Sequence, residues 1–275
     1  MKCFEISIKN RIAHIIMNRP EKRNSMIPEF WSELPTIIKE IDGSSKARVI
    51  VISSKGPHFT SGLDTSLFDT LNLSNTTNEY ENEIQAQTIF YRKVKKLQNS
   101  FNSLEECRIP VIVAVQGGCI GAGLDLITAC DLRFSTQDAF FTLFETNLAL
   151  TADVGTFPRL AKIIPEGFVK QMAYTGSRID AHEALRFGLI NQIFSTTDNM
   201  LKSVFKTARE IAQKSPLAVH GCKTVINYSR DHSTQDTLDY VALWNSANFK
   251  IKEVKEALNA AKEKRSGSFV DLPKL

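Results

Sequence analysis

Hydrophobic and polar residues change rhythm several times along this chain. Alternation from Cys3 to Ile8 predicts a strand and Ile12 to Met17 reads as a second, with Asn10-Arg11 as the turn between them. A polar loop, Asn18 to Ser25, precedes a helix expected from about Pro28 to Ile41, kinked at Pro35. Arg48 to Ser53 and Val111 to Val115 are short, continuous apolar runs, the pattern of strands covered on both faces. Between them, Asn72 to Asn78 reads as a mobile polar loop, and Glu79 to Cys107 as a long amphipathic helix that Pro110 stops. Further helices are expected at about Ala122 to Ala129, Phe157 to Ile163, Glu166 to Thr175 and Ala181 to Phe187. Gly188 fits a helix C-cap, and Leu189 to Phe194 a strand. From Asp198 onward the pattern is helical, roughly 198–213, 216–229 and 233–264, with Asp231 or Ser233 capping the last helix.

Strands that alternate with helices and then give way to helices alone predict an α/β core, residues 1–197, with a helical C-terminal region, residues 198–275. A 43% hydrophobic content over 275 residues supplies enough apolar surface for a substantial core. The net charge of +4, without a long Lys/Arg block, argues against a nucleic-acid binder. Five cysteines without CxxC spacing read as free thiols in a reducing compartment. The five histidines are scattered, so no metal site is expected. No apolar run is long enough for a membrane span. A cytoplasmic location is expected, with a peroxisomal one as the alternative because Pro273-Lys274-Leu275 resembles the Ser-Lys-Leu address.

The candidate chemistry lies in two glycine-containing turns that follow the two buried runs, Ser61-Gly62-Leu63 and Gly121-Ala122-Gly123. If the strands are neighbours, backbone N–H groups from the two turns converge on one oxygen, and such a donor is typically worth about 10²–10³ in rate. Taken singly, each remains open to a plainer reading as an ordinary turn. Asp125, Glu145 and Asp153 place three carboxylates in a region otherwise poor in charge, which suggests proton transfer beside a carbonyl. Asp153 is equally open to a reading as the N-cap of a helix starting near Val154, Asp125 as a solvated helix residue and Glu145 as a loop charge. Asp131 reads as structural, and Ser61 as no nucleophile, since no GxSxG elbow surrounds it.

The motifs RPEKRN at 19–24, FTSGLD at 59–64, GGCIGAGLDLITACDLR at 117–133, ADVGT at 152–156 and YSRDHS at 228–233 resemble the enoyl-CoA hydratase/isomerase (crotonase) superfamily, and within it the dienoyl-CoA isomerases. The resemblance implies a crotonase-like spiral of ββα units with a helical C-terminal trimerisation region, and a homo-hexamer built from two trimers. It implies that the N–H groups of Leu63 and Ala122 form an oxyanion hole for an acyl-CoA thioester, Ala122 standing where most relatives carry glycine. It implies Glu145 as the base at C2, Asp153 as the acid at C6 and Asp125 as the residue that orients them, in unsaturated fatty acid β-oxidation. The hydratases carry two glutamates instead, at the positions of Asp125 and Glu145. Substrate contacts are expected from Lys22, Ser61, Gly62, Leu63, Asp64, Thr65 and Ala122, with Lys264 reaching a neighbouring subunit's ligand. No separate cofactor is implied, because coenzyme A is part of the substrate. The rival readings are a 2-enoyl-CoA hydratase, a Δ3-Δ2-enoyl-CoA isomerase, or an inactive oligomeric module that binds acyl-CoA.

Overall fold

The computed structural model describes residues 1–69 and 79–275; the expected polar loop Asn72 to Asn78 lies outside the described residues. The chain begins with a hairpin, β1 (Phe4–Lys9) and β2 (Ile12–Met17), whose turn residues Asn10 and Arg11 both take left-handed conformations (φ 51° and 63°). Next come α1 (Pro28–Ser44), β3 (Val49–Ser54), the single turn α2 (Ser66–Asp69) and α3 (Glu79–Glu106). Then follow β4 (Val111–Val115), β5 (Gly118–Ile120), α4 (Ala122–Thr128), β6 (Leu132–Thr136) and β7 (Phe140–Thr142). A 3-10 turn at Glu145–Leu148 leads to α5 (Thr156–Leu160), α6 (Glu166–Thr175), β8 (Arg178–Asp180), α7 (Ala181–Phe187) and β9 (Gln192–Phe194). The chain finishes in α8 (Thr197–Ala212), α9 (Pro216–Ser229), α10 (Thr234–Asn248) and α11 (Ile251–Lys262).

Six strands form the main sheet in the order β1-β2-β3-β4-β6-β9, parallel except for the β1–β2 hairpin. Its faces explain the continuous apolar runs. On β3, Ile50 and Ile52 join the large core with Phe30, Leu34, Leu104 and Leu124. Val49 and Val51, one residue out of phase, face the opposite way, with Ile112, Ala114 and Phe134. That second face is covered by α8, whose Met200, Val204, Ala208 and Ala212 recur every four residues and so line one side of the helix. A strand with helices on both faces has no polar face to show.

A second sheet, β5-β7-β8, escapes sequence periodicity because each strand is three residues long. It adjoins the site: Thr60 pairs with Cys119 as an isolated parallel bridge, which ties the turn after β3 to β5. The helix expected over 233–264 is two helices. Phe249 and Lys250 are extended (ψ 121° and 97°), and no glycine or proline there marks the break. Ser233, not Asp231, caps α10, in a capping box with Asp236. Asp231 pairs with Lys162 instead.

Buried Lys223 is a tie between the helical end and the sheet. Its ammonium reaches Leu104 O at 2.8 Å, Ile109 O at 3.1 Å and Asp131 Oδ2 at 3.0 Å. Asp131 in turn accepts the Val111 N–H at 2.7 Å, so one cation fixes the entry to β4, the structural role its sequence position suggested. After α11 the chain returns to the sheet. Asp271 accepts from Arg48 Nε and Arg11 Nη1, both at 2.6 Å, and Arg108 Nη1 donates to Pro273 O at 2.9 Å. All five cysteines are free thiols. Among the described residues, no helix is long and apolar enough to cross a membrane.

Candidate active site

The neighbouring parallel strands β3 and β4 deliver their following turns side by side. Thr60 N–H donates to Gly118 O at 3.0 Å and Ile120 N–H to Thr60 O at 3.2 Å, so the two turns are locked in register. Gly62 is left-handed (φ 84°), and a Cβ on it would fall 2.6 Å from Ile120 O and 3.4 Å from Ala122 N. Glycine there lets the two backbones approach. Among the described residues, the Leu63 N–H donates to no backbone carbonyl. Ala122 is the first residue of α4, where the N–H has no helical partner and the helix dipole is positive. Every residue of α4 is buried, so little water screens that end.

The three carboxylates gather at this turn. Gly121 (φ 53°) swings the chain into α4, and its missing Cβ would lie 3.2 Å from Glu145 Oε1. The Glu145 carboxylate therefore packs on the turn itself. Its Oε2 is buried with no hydrogen-bond partner among the described residues, and burial, reinforced by the charge of Asp153, pushes its pKa up. Asp125, one turn into α4, is 1% exposed, so it is no solvated helix residue. Its Oδ1 accepts the Thr156 N–H at 2.6 Å. Burial, with smaller contributions from Glu145 and Asp153, raises its pKa to about 7 against the restraint of that hydrogen bond. Asp153 reaches solvent, yet the chain packed round its carboxyl also holds its pKa up.

Asp153 does not cap α5. The N-cap position belongs to Gly155, and the first-turn donor at Thr156 is taken by Asp125. The side chain of Asp153 is thus left for other work. Its loop is pinned on the inner side through Thr156 and on the outer side by Gln98 of α3, whose Nε2 donates to Asp153 O at 2.7 Å. Sequence reading missed Gln98 and Thr156. Gln98 sits at helical spacing from Asn102, but nothing in a helical pattern names a partner 55 residues away.

The residues expected to meet the substrate divide. Ser61, Gly62, Leu63 and Ala122 line the junction of the turns, and the Ser61 N–H donates to Arg23 O at 2.9 Å, which seats the loop that carries Lys22 beside them. Buried Asn24 holds that loop, donating to Lys55 O at 2.9 Å and His58 O at 3.1 Å. Asp64 is engaged otherwise. It accepts from Ser25 Oγ and Ser66 Oγ, both at 2.6 Å, and these hydroxyls hold its pKa down, so it braces the loop. Thr65 is exposed just ahead of α2. Lys264 is a left-handed residue (φ 53°) beyond α11, and among the described residues no hydrogen bond or ion pair joins it to the turns. Among the described residues, no group of His, Cys, Asp and Glu side chains is arranged to hold a metal ion.

Residues 7–272 match the family model described as Enoyl-CoA hydratase/isomerase. The chain belongs to this family. It is 39% identical over 272 residues to the mitochondrial Delta(3,5)-Delta(2,4)-dienoyl-CoA isomerase of Mus musculus, covering 98% of this chain and 82% of the mouse protein. The peroxisomal Delta(3,5)-Delta(2,4)-dienoyl-CoA isomerase of Arabidopsis thaliana is 37% identical over 274 residues, with 98% of both chains covered. Among solved structures, an enoyl-CoA hydratase from Bacillus anthracis superposes with a TM-score of 0.85 at 26% identity, covering 97% of this chain and 98% of that one. The crotonase-type α/β fold with its helical C-terminal end, expected from the sequence, is therefore the fold of this protein.

Proposed function

We propose that this protein isomerises 3,5-dienoyl-CoA to 2,4-dienoyl-CoA. The observation that carries the reading is the gathering of Asp125, Glu145 and Asp153 at the α4 turn, with Asp153 free of any capping duty. In this mechanism the N–H groups of Leu63 and Ala122 hold the thioester oxygen as it becomes an enolate. Glu145 takes the proton from C2. The C2–H electron pair becomes the C2=C3 bond, the C3=C4 pair moves to C4=C5, and the C5=C6 pair takes a proton at C6 from Asp153. The base and the acid must be different groups because C2 and C6 are several bonds apart.

The raised pKa values suit both roles. A base whose pKa is raised abstracts more strongly, and an acid whose pKa is raised keeps its proton to a higher pH than an ordinary carboxyl does. Asp125 orients the loop of Asp153 through Thr156. The exposed apolar side chains Leu238, Leu243, Ile251, Val254 and Leu258 of the last two helices, with Phe249 in the break between them, favour a homo-oligomer, with the hexamer as the expected state. Relatives named as mitochondrial and peroxisomal favour fatty acid oxidation as the setting, in an organelle where one exists.

The test is purified protein with 3,5-octadienoyl-CoA, followed by growth of the conjugated 2,4-dienoyl absorbance, with 2-octenoyl-CoA in parallel. Growth of the chromophore supports the isomerase. No growth, with loss of the 2-enoyl absorbance, makes the protein a hydratase. No change with either substrate favours an acyl-CoA-binding module.

A further inference from the structure

We infer that Gln98 is a positioning residue for the acid: its amide fixes the main chain from which Asp153 projects. This inference rests on the isomerase reading above. Lys95, Gln98, Asn102 and Glu105 recur at three- and four-residue spacing and stand in a row along one side of α3. That row faces the loop between the 3-10 turn and α5. Gln98 Nε2 donates to Asp153 O at 2.7 Å, while Lys95 Nζ donates to Gln98 Oε1 at 2.9 Å. The cation thus fixes which way the amide points. Its oxygen is engaged by the ammonium, so its NH₂ is turned to the Asp153 carbonyl.

The same row also grips Arg159 of α5, six residues after Asp153. Asn102 Oδ1 accepts from Arg159 Nη2 at 2.7 Å, and Glu105 Oε2 accepts from Arg159 Nε at 2.9 Å. Arg230, the residue just past α9, also pairs with Glu105, which anchors the far end of the row. The guanidinium of Arg159 lies so close under Gly155 (φ 131°) that a Cβ there would sit 2.1 Å from Nη1. From the inner side, Asp125 holds Thr156. The four residues from Asp153 to Thr156 are therefore held at both ends, by Gln98 at Asp153 and by Asp125 at Thr156, with the Arg159 guanidinium packed against Gly155 between them.

The Asp153 carboxylate itself takes no hydrogen bond from another residue's side chain among the described residues, so its aim is set by this main-chain clamp. Misplacing a reacting group by about 1 Å can cost roughly 10²-fold in rate. Among the described residues Gln98 hydrogen-bonds neither to the turns nor to Glu145, so its loss should slow the step at C6 and spare the step at C2.

The experiment compares the full-length protein with Gln98→Leu and Lys95→Ala. Two rates are read: isomerisation of 3,5-octadienoyl-CoA, and exchange of the C2 protons of octanoyl-CoA in D₂O, which needs Glu145 and the turn N–H groups but no acid at C6. Gln98→Leu should lower kcat for isomerisation about tenfold, the worth of one such hydrogen bond, with KM and C2 exchange unchanged. Lys95→Ala, an exposed change, should give the same pattern at about threefold, because only the amide's orientation is released. Equal isomerisation by wild type and Gln98→Leu overturns the inference, as does a parallel fall of both rates. A wild-type protein that exchanges at C2 but leaves the dienoyl substrate untouched overturns the isomerase reading and this inference with it.

Discussion

Replacing Asp125 with Asn should stabilise this protein at alkaline pH, and by an amount the structure sets. Asp125 is 1% exposed, and its carboxyl is pushed from an ordinary 3.8 to about 7. The folded state therefore holds a proton on Asp125 between pH 4 and 7 that the unfolded chain has already released. Stability in this window falls as pH rises, by about 1.4 kcal/mol for each pH unit. The sign is that of a raised carboxyl pKa: the contribution is fully present below the unfolded pKa and lost by the time pH passes the folded one. The ionised Asp125 thus costs roughly 4 kcal/mol above pH 8. Asn keeps an oxygen that accepts the Thr156 N–H and removes the charge.

Urea unfolding of wild type and Asp125→Asn at equal protein concentration, from pH 4.5 to 8.5, isolates the effect, because the difference between them cancels other titrating groups. The mutant should gain on the wild type as pH rises, level off above pH 8, and gain a few kcal/mol in all. A difference that does not change with pH, or one that moves in favour of the wild type, would refute the argument that Asp125 is buried at a cost.

Three further outcomes follow from the geometry. Asp153→Asn should lose about 10²–10⁴ in kcat for 3,5-octadienoyl-CoA while C2 exchange in D₂O persists, because the base and the turn N–H groups remain; isomerisation within threefold of wild type would remove the acid role. Gly62→Ala should lower both isomerisation and C2 exchange, since its methyl would strike Ile120 O at 2.6 Å and push the turns apart; stopped-flow absorbance and NMR exchange read the two rates. Lys223→Met should destabilise the fold by about 3 kcal/mol, read by denaturant unfolding, because it strands Asp131 and two buried carbonyls without their cation.

Much of the fold was legible in the chain because long elements repeat their pattern often enough to be read. Strand β2, α1, β3 and α8 each bury one periodic face or a whole apolar run, so burial and sequence carry the same signal, whereas β1 alternates in sequence yet buries only Phe4. The small sheet did not show, because a three-residue strand completes no period. The break at Phe249-Lys250 also did not show. It is made by backbone rotation at residues that are compatible with a helix, without a glycine or proline to announce it.

The candidate site divides in the same way. The residue types and their local order belong to the sequence: two glycine turns after two buried strands, then Asp125, Glu145 and Asp153. Which carboxylates lie close enough to feel one another's charge was decided by tertiary structure alone. Asp125 could be a solvated helix residue until α4 is seen wholly buried and its carboxylate is seen bonded to Thr156. Asp153 could be a helix cap until Gly155 takes that place. Gln98 had no meaning until α3 lay across the loop and brought its amide to a carbonyl 55 residues along the chain. The physical reason is range. Propensity, periodicity and capping act over a few residues, whereas desolvation and a main-chain clamp depend on which distant segments exclude water from a group, and only the packed chain fixes that.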